Sequence, residues 1–283
     1  MGSRNKMKRY DLCILYSGGI DSLTAFYYAL KKYKMDMSNI LLLIINYGQP
    51  YFEKEYNLFK KLRDTMEREN ALYANNEIAH NFVEKIHYRV LKIDIEDESD
   101  VKNHITANRN TIFTSIACRF SDEVWLVANN DEVHVNDKSY NFFEYVNKLN
   151  ALTMERPILI KSPFINWSRT KIIEWGLNNN VPYFYSSSCY DSKSMACGKC
   201  SGCFHRYFDM VYNDVYEKFD IDVLDYEPNI ERLKIIWRNR NSGNLDIIRK
   251  YTKEQFKKYN DALGMTEKGR KIRNVLFKEK ANY

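Results

Sequence analysis

Short apolar runs that alternate with longer amphipathic stretches are the feature that most restricts the fold of this chain. Five aliphatic or β-branched runs have the length of strands, and the stretches between them repeat apolar residues at helical spacing. This alternation predicts an α/β fold, a Rossmann-like parallel sheet with helices on both faces. The predicted strands are residues 11–16, 41–46, 89–93, 123–128 and 157–161, and the predicted helices are residues 22–34, 51–69, 111–120 and 168–178.

Two segments lie outside this alternation. Residues 129–152 are polar and show no strong period, so we expect a loop with a short helix over the edge of the sheet. Residues 211–283 show helical patterns rich in Lys, Arg, Tyr and Phe, and we expect a helical C-terminal extension. The predicted domains are therefore residues 8–210 and 211–283.

Composition narrows the class of protein. With 45% hydrophobic and 28% charged residues, the chain has the composition of an ordered protein. Its longest aliphatic run, residues 41–45, is far shorter than the ~20 residues of a membrane span, and its first residues are polar. We expect a cytoplasmic protein without a membrane partner. The net charge of +6 suits an anionic ligand but is weak evidence for nucleic acid, which is not expected as a partner.

A buried strand followed by two glycines and a helix is the first functional signal. Residues 11–16 lead directly into Ser17-Gly18-Gly19-Ile20-Asp21-Ser22. Paired glycines let the backbone close around an anion, the amides at the helix start point at it, and serine hydroxyls add donors. We expect a phosphate-binding loop; the alternative is a tight turn with Ser22 as the N-cap. No Gly-Lys-Ser/Thr follows, which distinguishes the loop from a Walker A loop.

Cysteine spacing predicts a metal site. Four of the six cysteines lie close together, and Gly198 and Gly202 allow turns between them. These four are Cys189, Cys197, Cys200 and Cys203. Four thiolates with no open position predict a structural Zn²⁺ in a knuckle of residues 189–203. An iron–sulfur cluster is the alternative, although a ferredoxin run would place a further cysteine at Tyr207. Cys13 and Cys118 stand alone and are predicted core residues.

The glycine loop resembles the PP-loop of the ATP pyrophosphatases, the HUP type of Rossmann-like fold, and further segments resemble the 7-cyano-7-deazaguanine synthase (QueC) family. Asn46-Tyr47-Gly48-Gln49 followed by Glu53 or Glu55 is similar to the family's D-Y-G-Q-x-x-x-x-E, and Asn108-Arg109-Asn110-Thr111-Ile112-Phe113 is similar to its G-R-N-x-x-F. The family's closing pattern is matched by Lys171-Ile172-Ile173-Glu174, Val181-Pro182, and Ser188-Cys189-Tyr190 through Cys203 to Arg206.

The resemblance implies an ATP-dependent, AMP-forming carbon–nitrogen ligase. Such an enzyme adenylates a 7-deazaguanine carboxylate, uses ammonia to form an amide, and dehydrates the amide to a nitrile through a second adenylation, with ATP and Mg²⁺ beside Zn²⁺. Catalytic roles are implied for Asp21, Arg109 and Lys171. Cofactor binding is implied for Ser17, Gly18, Gly19, Asp21, Ser22, Tyr47, Gln49, Arg109 and Arg206. The alternatives are a solvated lysine at Lys171 and a packing role at a helix start for Arg206.

Two departures from the family pattern keep other functions open. Residues 134–143 stand where the family has Gly-Tyr-Pro-Asp-Cys-Arg, with Asp137 and a downstream Phe as the alignable residues, and the C-terminal extension is longer than a typical member needs. The altered loop and the extra helices allow a second interpretation, in which the activated acid passes to an amine of a protein partner docked by the C-terminal helices. The resemblance implies a role of such an enzyme in antiviral defence, since family relatives lie beside bacterial antiviral genes. A third interpretation is a tRNA-modifying sulfur-transfer enzyme of the PP-loop superfamily, using Cys13 or Cys118. A homodimer is one alternative for the assembly.

Overall fold

The computed structural model of the chain describes residues 8–74, 85–95, 106–154, 156–239 and 253–278. Its strands are β1 (Leu12–Leu15), β2 (Ile40–Asn46), β3 (His87–Lys92), β4 (Glu123–Trp125) and β5 (Leu159–Lys161). Its α-helices are α1 (Ile20–Lys32), α2 (Phe52–Ala74), α3 (Arg109–Ala117), α4 (Tyr140–Thr153), α5 (Arg169–Asn178), α6 (Ser201–Tyr212), α7 (Glu227–Asn239), α8 (Lys253–Met265) and α9 (Glu267–Lys278). All five predicted strands and the four helices predicted between them are confirmed, with ends shifted by a few residues.

The strands form one parallel sheet in the order β3-β2-β1-β4-β5. The register pairs Leu12 of β1 with Ile40 of β2 and Cys13 of β1 with Val124 of β4. β2 and β3 follow β1 on one side of it, and β4 and β5 are then added on its other side. The direction in which strands are added therefore reverses between β1 and β4. In open parallel sheets of this kind, ligands bind beyond the carboxyl ends of the strands at that reversal point.

Side chains alternate between the two faces of the sheet and bury both. On one face, Cys13 and Leu43 form a core with Phe113 of α3 and Val146 of α4. On the other face, the ring of Tyr16, directly after β1, lies 5.5 Å from the ring of Phe59 in α2. Strands buried on both faces are nearly continuous apolar runs. The Rossmann-like fold with helices on both faces is confirmed.

Local capping explains two differences from the predicted helices. α1 begins at Ile20 with Gly19 as its N-cap, so the alternative of Ser22 as N-cap is wrong. In the polar segment 129–152, α4 is longer than the short helix we expected. Ser139 begins this helix by accepting a 3.1 Å hydrogen bond from the Phe142 amide at its Oγ, which satisfies a free donor at the helix start.

The chain separates into two compact units, Met1–Asn166 with Asn179–Ser187, and Trp167–Asn178 with Ser188–Tyr283. The second unit has its own core, in which Phe204 and Phe208 of α6 pack with Trp237 of α7, Tyr259 of α8 and Leu276 of α9. The cysteine segment is therefore grouped with the C-terminal helices, whereas the predicted boundary follows residue 210. The division into domains at 8–210 and 211–283 stays a prediction.

Within the described ranges, no helix is both long enough and apolar enough to cross a membrane.

Candidate active site and metal centre

The predicted phosphate loop lies at the carboxyl end of β1 and leads into α1. Its two serines hold it together: the Ser17 amide donates to Ser22 Oγ over 3.3 Å, and the two hydroxyl oxygens are 3.2 Å apart. Ser22 Oγ also donates to the Gly19 carbonyl over 3.2 Å. The Ser187 amide donates to the Gly18 carbonyl over 3.0 Å, which fixes the loop from the outside. The loop is thus preorganised, with the amide end of α1 available to an anion.

The two glycines have different reasons to be glycine. Gly18 has φ +72°, a left-handed conformation that side chains disfavour, and a Cβ there would lie 3.1 Å from Glu55 Cβ. Gly19 has φ −83° as the N-cap of α1, and a Cβ there would meet its nearest atom, Ser17 Oγ, at 3.5 Å. Gly18 is therefore required by the backbone, whereas Gly19 leaves space that an anion can approach.

Asp21 is held by a residue from the neighbouring strand. Asn129, fully buried just beyond β4, donates from Nδ2 to Asp21 Oδ2 over 2.9 Å and to Glu132 Oε2 over 3.3 Å. Glu132 in turn forms a 3.0 Å ion pair with Lys138. These contacts bridge the reversal point between β1 and β4. The sequence interpretation missed Asn129, although its place directly after a predicted strand is a signal that could have found it.

Tyr47 and Gln49 form the turn after β2. The Tyr47 amide donates to Gln49 Oε1 over 2.9 Å, and Gln49 Nε2 donates to the Ile45 carbonyl over 3.2 Å. Both side chains are buried. Gly48, with φ +104°, supplies the left-handed residue of the turn. Gln49 therefore shapes the turn, and its contact with a nucleotide stays a prediction.

Arg109, the first residue of α3, lies against Tyr47. Its Nη1 donates to the Tyr47 hydroxyl over 3.0 Å, and its guanidinium lies 5.2 Å from the centre of the Tyr47 ring. Burial disfavours the charge, but Tyr47, Tyr51 and Asp137 outweigh burial and hold the Arg109 pKa above its ordinary value. A half-buried cation is thus maintained in the same unit as the phosphate loop.

The segment that departs from the family pattern is docked onto α3. Residues Asn136–Lys138 form a short 3-10 turn, and Asn110 Nδ2 donates to the Asp137 carbonyl over 3.3 Å. Together with the Glu132–Lys138 ion pair, this contact ties the turn to both the Asp21 and the Arg109 surroundings. The replaced residues therefore lie at the edge of the candidate active site.

Glu55, not Glu53, is the acidic residue of the motif that reaches the site. Glu53 is exposed, whereas Glu55 is partly buried and packs against Gly18. Burial raises the pKa of Glu55 to about 8, although Lys54, a hydrogen bond from Gln49 and the charge of Arg109 act to lower it. The structure thereby distinguishes two acidic residues, two positions apart, between which the sequence pattern had left the choice open.

The four clustered cysteines meet in the second unit. The Sγ atoms of Cys189, Cys197, Cys200 and Cys203 all lie within 4.8 Å of one another. Backbone amides point at the sulfurs: the Cys197 amide donates to Cys189 Sγ, the Lys199 amide to Cys197 Sγ and the Cys203 amide to Cys200 Sγ, each over 3.4 Å. Such donors stabilise thiolates, so the cluster can hold a metal ion.

Two glycines make the cysteine knuckle possible. Gly198 has φ +76°, and a Cβ there would lie 1.8 Å from the Ile221 carbonyl oxygen. A Cβ at Gly202 would lie 1.8 Å from the Ser188 carbonyl oxygen. Both clashes involve backbone, which a side-chain rotation cannot relieve. Glycine is therefore required at both positions for the backbone conformation that brings the four sulfurs together.

The two remaining predicted cations also lie in the second unit. Lys171 is exposed in α5, with its Nζ 4.7 Å from the centre of the Trp167 ring. Arg206 is buried within α6 and makes two hydrogen bonds of 2.6 Å to the carboxylate of Glu217, from Nε and Nη2. These contacts are the observed ones; roles for Lys171 and Arg206 toward phosphate stay predictions.

The two isolated cysteines are core residues, as predicted. Cys13 and Cys118 are completely buried in the core of the first unit. Burial raises the pKa of Cys118 to about 11 and that of Cys13 further still. Neither thiol is poised to ionise at neutral pH, which is the requirement for a nucleophilic cysteine.

Known proteins are similar to this chain over most of its length. The family model described as "Queuosine biosynthesis protein QueC" matches residues 11–211. The 7-cyano-7-deazaguanine synthase of Picrophilus torridus is 29% identical over 249 residues, 81% of this chain and 96% of the relative. Its counterpart in Marinomonas sp. is 24% identical over 230 residues, 76% of this chain and 97% of the relative.

Solved structures are also similar to this chain, and one of them is a tRNA thiolase. The U34-tRNA thiolase NcsA from Methanococcus maripaludis, determined with its [4Fe-4S] cluster, has 17% sequence identity and a TM-score of 0.40, with 67% of this chain and 63% of that chain covered. The family match extends over most of the chain and includes the phosphate loop, the Tyr47 turn, Arg109 and the cysteine cluster. The chain belongs to the QueC family, within the PP-loop ATP pyrophosphatase superfamily of enzymes.

Proposed function

We propose that this protein activates the carboxylate of a 7-deazaguanine with ATP, releases pyrophosphate, and couples the acyl-adenylate to ammonia. A second adenylation, of the amide oxygen, then gives the nitrile. The observation that carries this proposal is the SGG-x-DS loop at the reversal point of the sheet in a chain of the QueC family. Supporting it, the relatives named above are 7-cyano-7-deazaguanine synthases, and the loop has no Walker lysine.

Each loop residue has a part in this chemistry. The amides at the start of α1 and the hydroxyls of Ser17 and Ser22 bind the pyrophosphate portion of ATP. Asp21 would hold the Mg²⁺ that accompanies ATP, and Asn129 fixes the Asp21 carboxylate by its hydrogen bond. The fit rests on the donor set: amides and hydroxyls for an anion, and one carboxylate for a hard cation.

Arg109 supplies the positive charge of the reacting centre. Its guanidinium is kept charged by Tyr47, Tyr51 and Asp137. A half-buried, preorganised cation stabilises negative charge that develops on a transferring phosphoryl group more strongly than a solvated one does. In this proposal Arg109 binds the substrate carboxylate or the α-phosphate, and Tyr47 lies beside the nucleotide.

Zinc is the metal we propose for the cysteine cluster. Tetrahedral Zn²⁺ with bonds of about 2.3 Å holds its sulfurs about 3.8 Å apart. The Sγ atoms of Cys197 and Cys203 are 3.9 Å apart. A four-iron cluster binds each thiolate at a separate corner of a cube, which requires wider spacing. Four protein ligands leave no position for water, so the role of the zinc is structural.

The sulfur-transfer alternative is disfavoured by the cysteines it needs. Cys13 and Cys118 are buried with raised pKa values, and the remaining four thiols are gathered in the metal cluster. Conjugation to a protein amine stays an alternative for the acceptor. The helices that would dock a partner already have a structural role, because α7, α8 and α9 supply much of the core of the second unit.

Product analysis tests the proposal. The protein is incubated with ATP, 7-carboxy-7-deazaguanine and ammonium, and nucleotides and deazaguanines are followed by mass spectrometry. We expect AMP, pyrophosphate and the amide or nitrile. Formation of ADP and phosphate would contradict adenylation. Consumption of the acid with a matching mass increment on a co-expressed protein, and no amide, would instead establish the conjugation alternative.

A further inference from the structure

Glu55 lies beside the phosphate loop on the face that α2 turns toward it. A Cβ at Gly18 would be 3.1 Å from Glu55 Cβ and 3.5 Å from Glu55 Cα, so helix and loop are in direct contact there. Glu53, two residues earlier, is exposed. The packing thus brings one carboxyl group, and not its neighbour, to the place where ATP phosphates would bind.

The surroundings of Glu55 allow its charge to change during turnover. The groups that act on it are Lys54 on the same helix, Gln49 from the turn after β2 and Arg109 from α3. Burial outweighs all three and raises the Glu55 pKa to about 8. The neutral acid is therefore accessible beside the negative charges of ATP, and the carboxylate becomes accessible once pyrophosphate has left.

A second polar group near Glu55 requires a partner. The hydroxyl of Tyr16 is buried and has no hydrogen-bond partner in the part of the chain that the structure describes. Burial, followed by the influence of Tyr27 and Glu55, raises the Tyr16 pKa, so the hydroxyl stays protonated. Buried hydroxyls without partners are costly and uncommon, and a small polar molecule bound beside them is one way in which their hydrogen bond is made.

We propose that Glu55 takes the proton from the attacking amine and that the Tyr16 hydroxyl binds the same nitrogen beside it. This inference rests on the proposed function. As the nitrogen of ammonia forms its bond to the acyl carbon, the bond from that carbon to the AMP oxygen breaks and its electron pair leaves on AMP. The proton lost by nitrogen passes to the Glu55 carboxylate, so the products are the amide, AMP and the protonated acid.

The two half-reactions separate this role from adenylation. Exchange of labelled pyrophosphate into ATP, with 7-carboxy-7-deazaguanine and no amine, reports adenylation alone. Amide formation after addition of ammonium chloride reports the amine step. Glu55→Gln keeps the shape of the side chain and removes its proton chemistry, and Glu53→Gln is the matched control on the exposed side of the same helix.

Glu55→Gln should keep pyrophosphate exchange within about threefold of wild type and slow amide formation by about a hundredfold or more, the usual contribution of a positioned base. At equal concentrations of free ammonia, the wild-type rate should rise through about pH 8, and this rise should be lost in the variant. Tyr16→Phe should raise the KM for ammonium about tenfold with exchange unchanged, the effect of one lost hydrogen bond. Glu53→Gln should match wild type in both assays.

Other outcomes overturn the inference in distinguishable ways. Equal losses of exchange and amide formation in Glu55→Gln would place the carboxyl group in adenylation or in the fold, and unchanged rates in both would remove it from the site. An unchanged KM for ammonium in Tyr16→Phe would remove the hydroxyl. If wild-type protein shows no acid-dependent exchange at all, the proposed function itself is wrong, and the amine step with it.

Discussion

A buried ion pair is expected to determine whether the C-terminal helices stay attached to α6. Lys258 of α8 donates from Nζ to Asp209 Oδ1 over 2.6 Å, and both side chains are buried. Arg169 Nη1 lies 3.8 Å from Asp209 Oδ2 and is the more distant cation. Lys258→Met keeps the apolar stem of the side chain and removes the charge that compensates Asp209.

The magnitude follows from the burial of Asp209. Removing one partner of a buried pair leaves an uncompensated charge and costs roughly 3–5 kcal/mol. Since Arg169 compensates part of the charge, we expect the lower end, about 3 kcal/mol. The matched control is Lys268→Met: its 2.9 and 2.5 Å pairs with Asp222 and Asp225 are exposed, so the cost should be below about 1 kcal/mol.

Urea unfolding measures this difference. Trp237 is buried in the core of the second unit, and its fluorescence is one of the signals that change when that unit unfolds. Lys258→Met should lower the free energy of unfolding of this transition by about 2 kcal/mol more than Lys268→Met does. Equal effects of the two substitutions would refute the reasoning, because they would show that Asp209 is not held as a buried charge by Lys258.

Three further predictions test other parts of the structure. Gly18→Ala should destabilise the protein by about 1–2 kcal/mol, measured by thermal unfolding, because residue 18 has a left-handed backbone conformation. Gly19→Ala should keep the melting temperature of the wild type and lose ATP turnover, measured as AMP release. Cys197→Ser should release zinc, measured by elemental analysis, and lower the melting temperature; iron with acid-labile sulfide in the wild type would contradict the zinc assignment. Asn129→Asp should slow AMP release about tenfold, equivalent to about 1.4 kcal/mol, because it places a second carboxylate against Asp21. The control Asn130→Asp should release AMP at the wild-type rate.

The sheet could be predicted because its signal is local. β1 and β2 are apolar along almost their whole length, a pattern that is visible in the sequence without knowledge of the neighbouring strands, and β2 is buried along almost its whole length. The loop after β1 could also be predicted, since paired glycines allow backbone conformations that other residues disfavour and stand out in the sequence. The cysteine cluster is another local signal, and all four predicted metal ligands are brought together.

The rest depends on partners that are distant in sequence. Asn129 is an ordinary polar residue until β4 pairs beside β1 and brings it to Asp21. The sequence predicts the segment past residue 210 as a separate extension. It does not show that this segment packs against Phe204 and Phe208, because buried aromatic residues look alike in sequence whatever covers them. Likewise, spacing alone did not separate Glu53 from Glu55; the contact with Gly18 does.

The fate of the carboxylate oxygens tests adenylation most directly. 7-Carboxy-7-deazaguanine labelled with oxygen-18 in both carboxylate oxygens is incubated with the protein, ATP and ammonium, and the nucleotides are analysed by mass spectrometry. Attack of the carboxylate on the α-phosphate predicts one labelled oxygen in each AMP released. If the AMP released carries no labelled oxygen, or if the label enters inorganic phosphate with formation of ADP, the proposed activation of the acid as an acyl-adenylate is wrong.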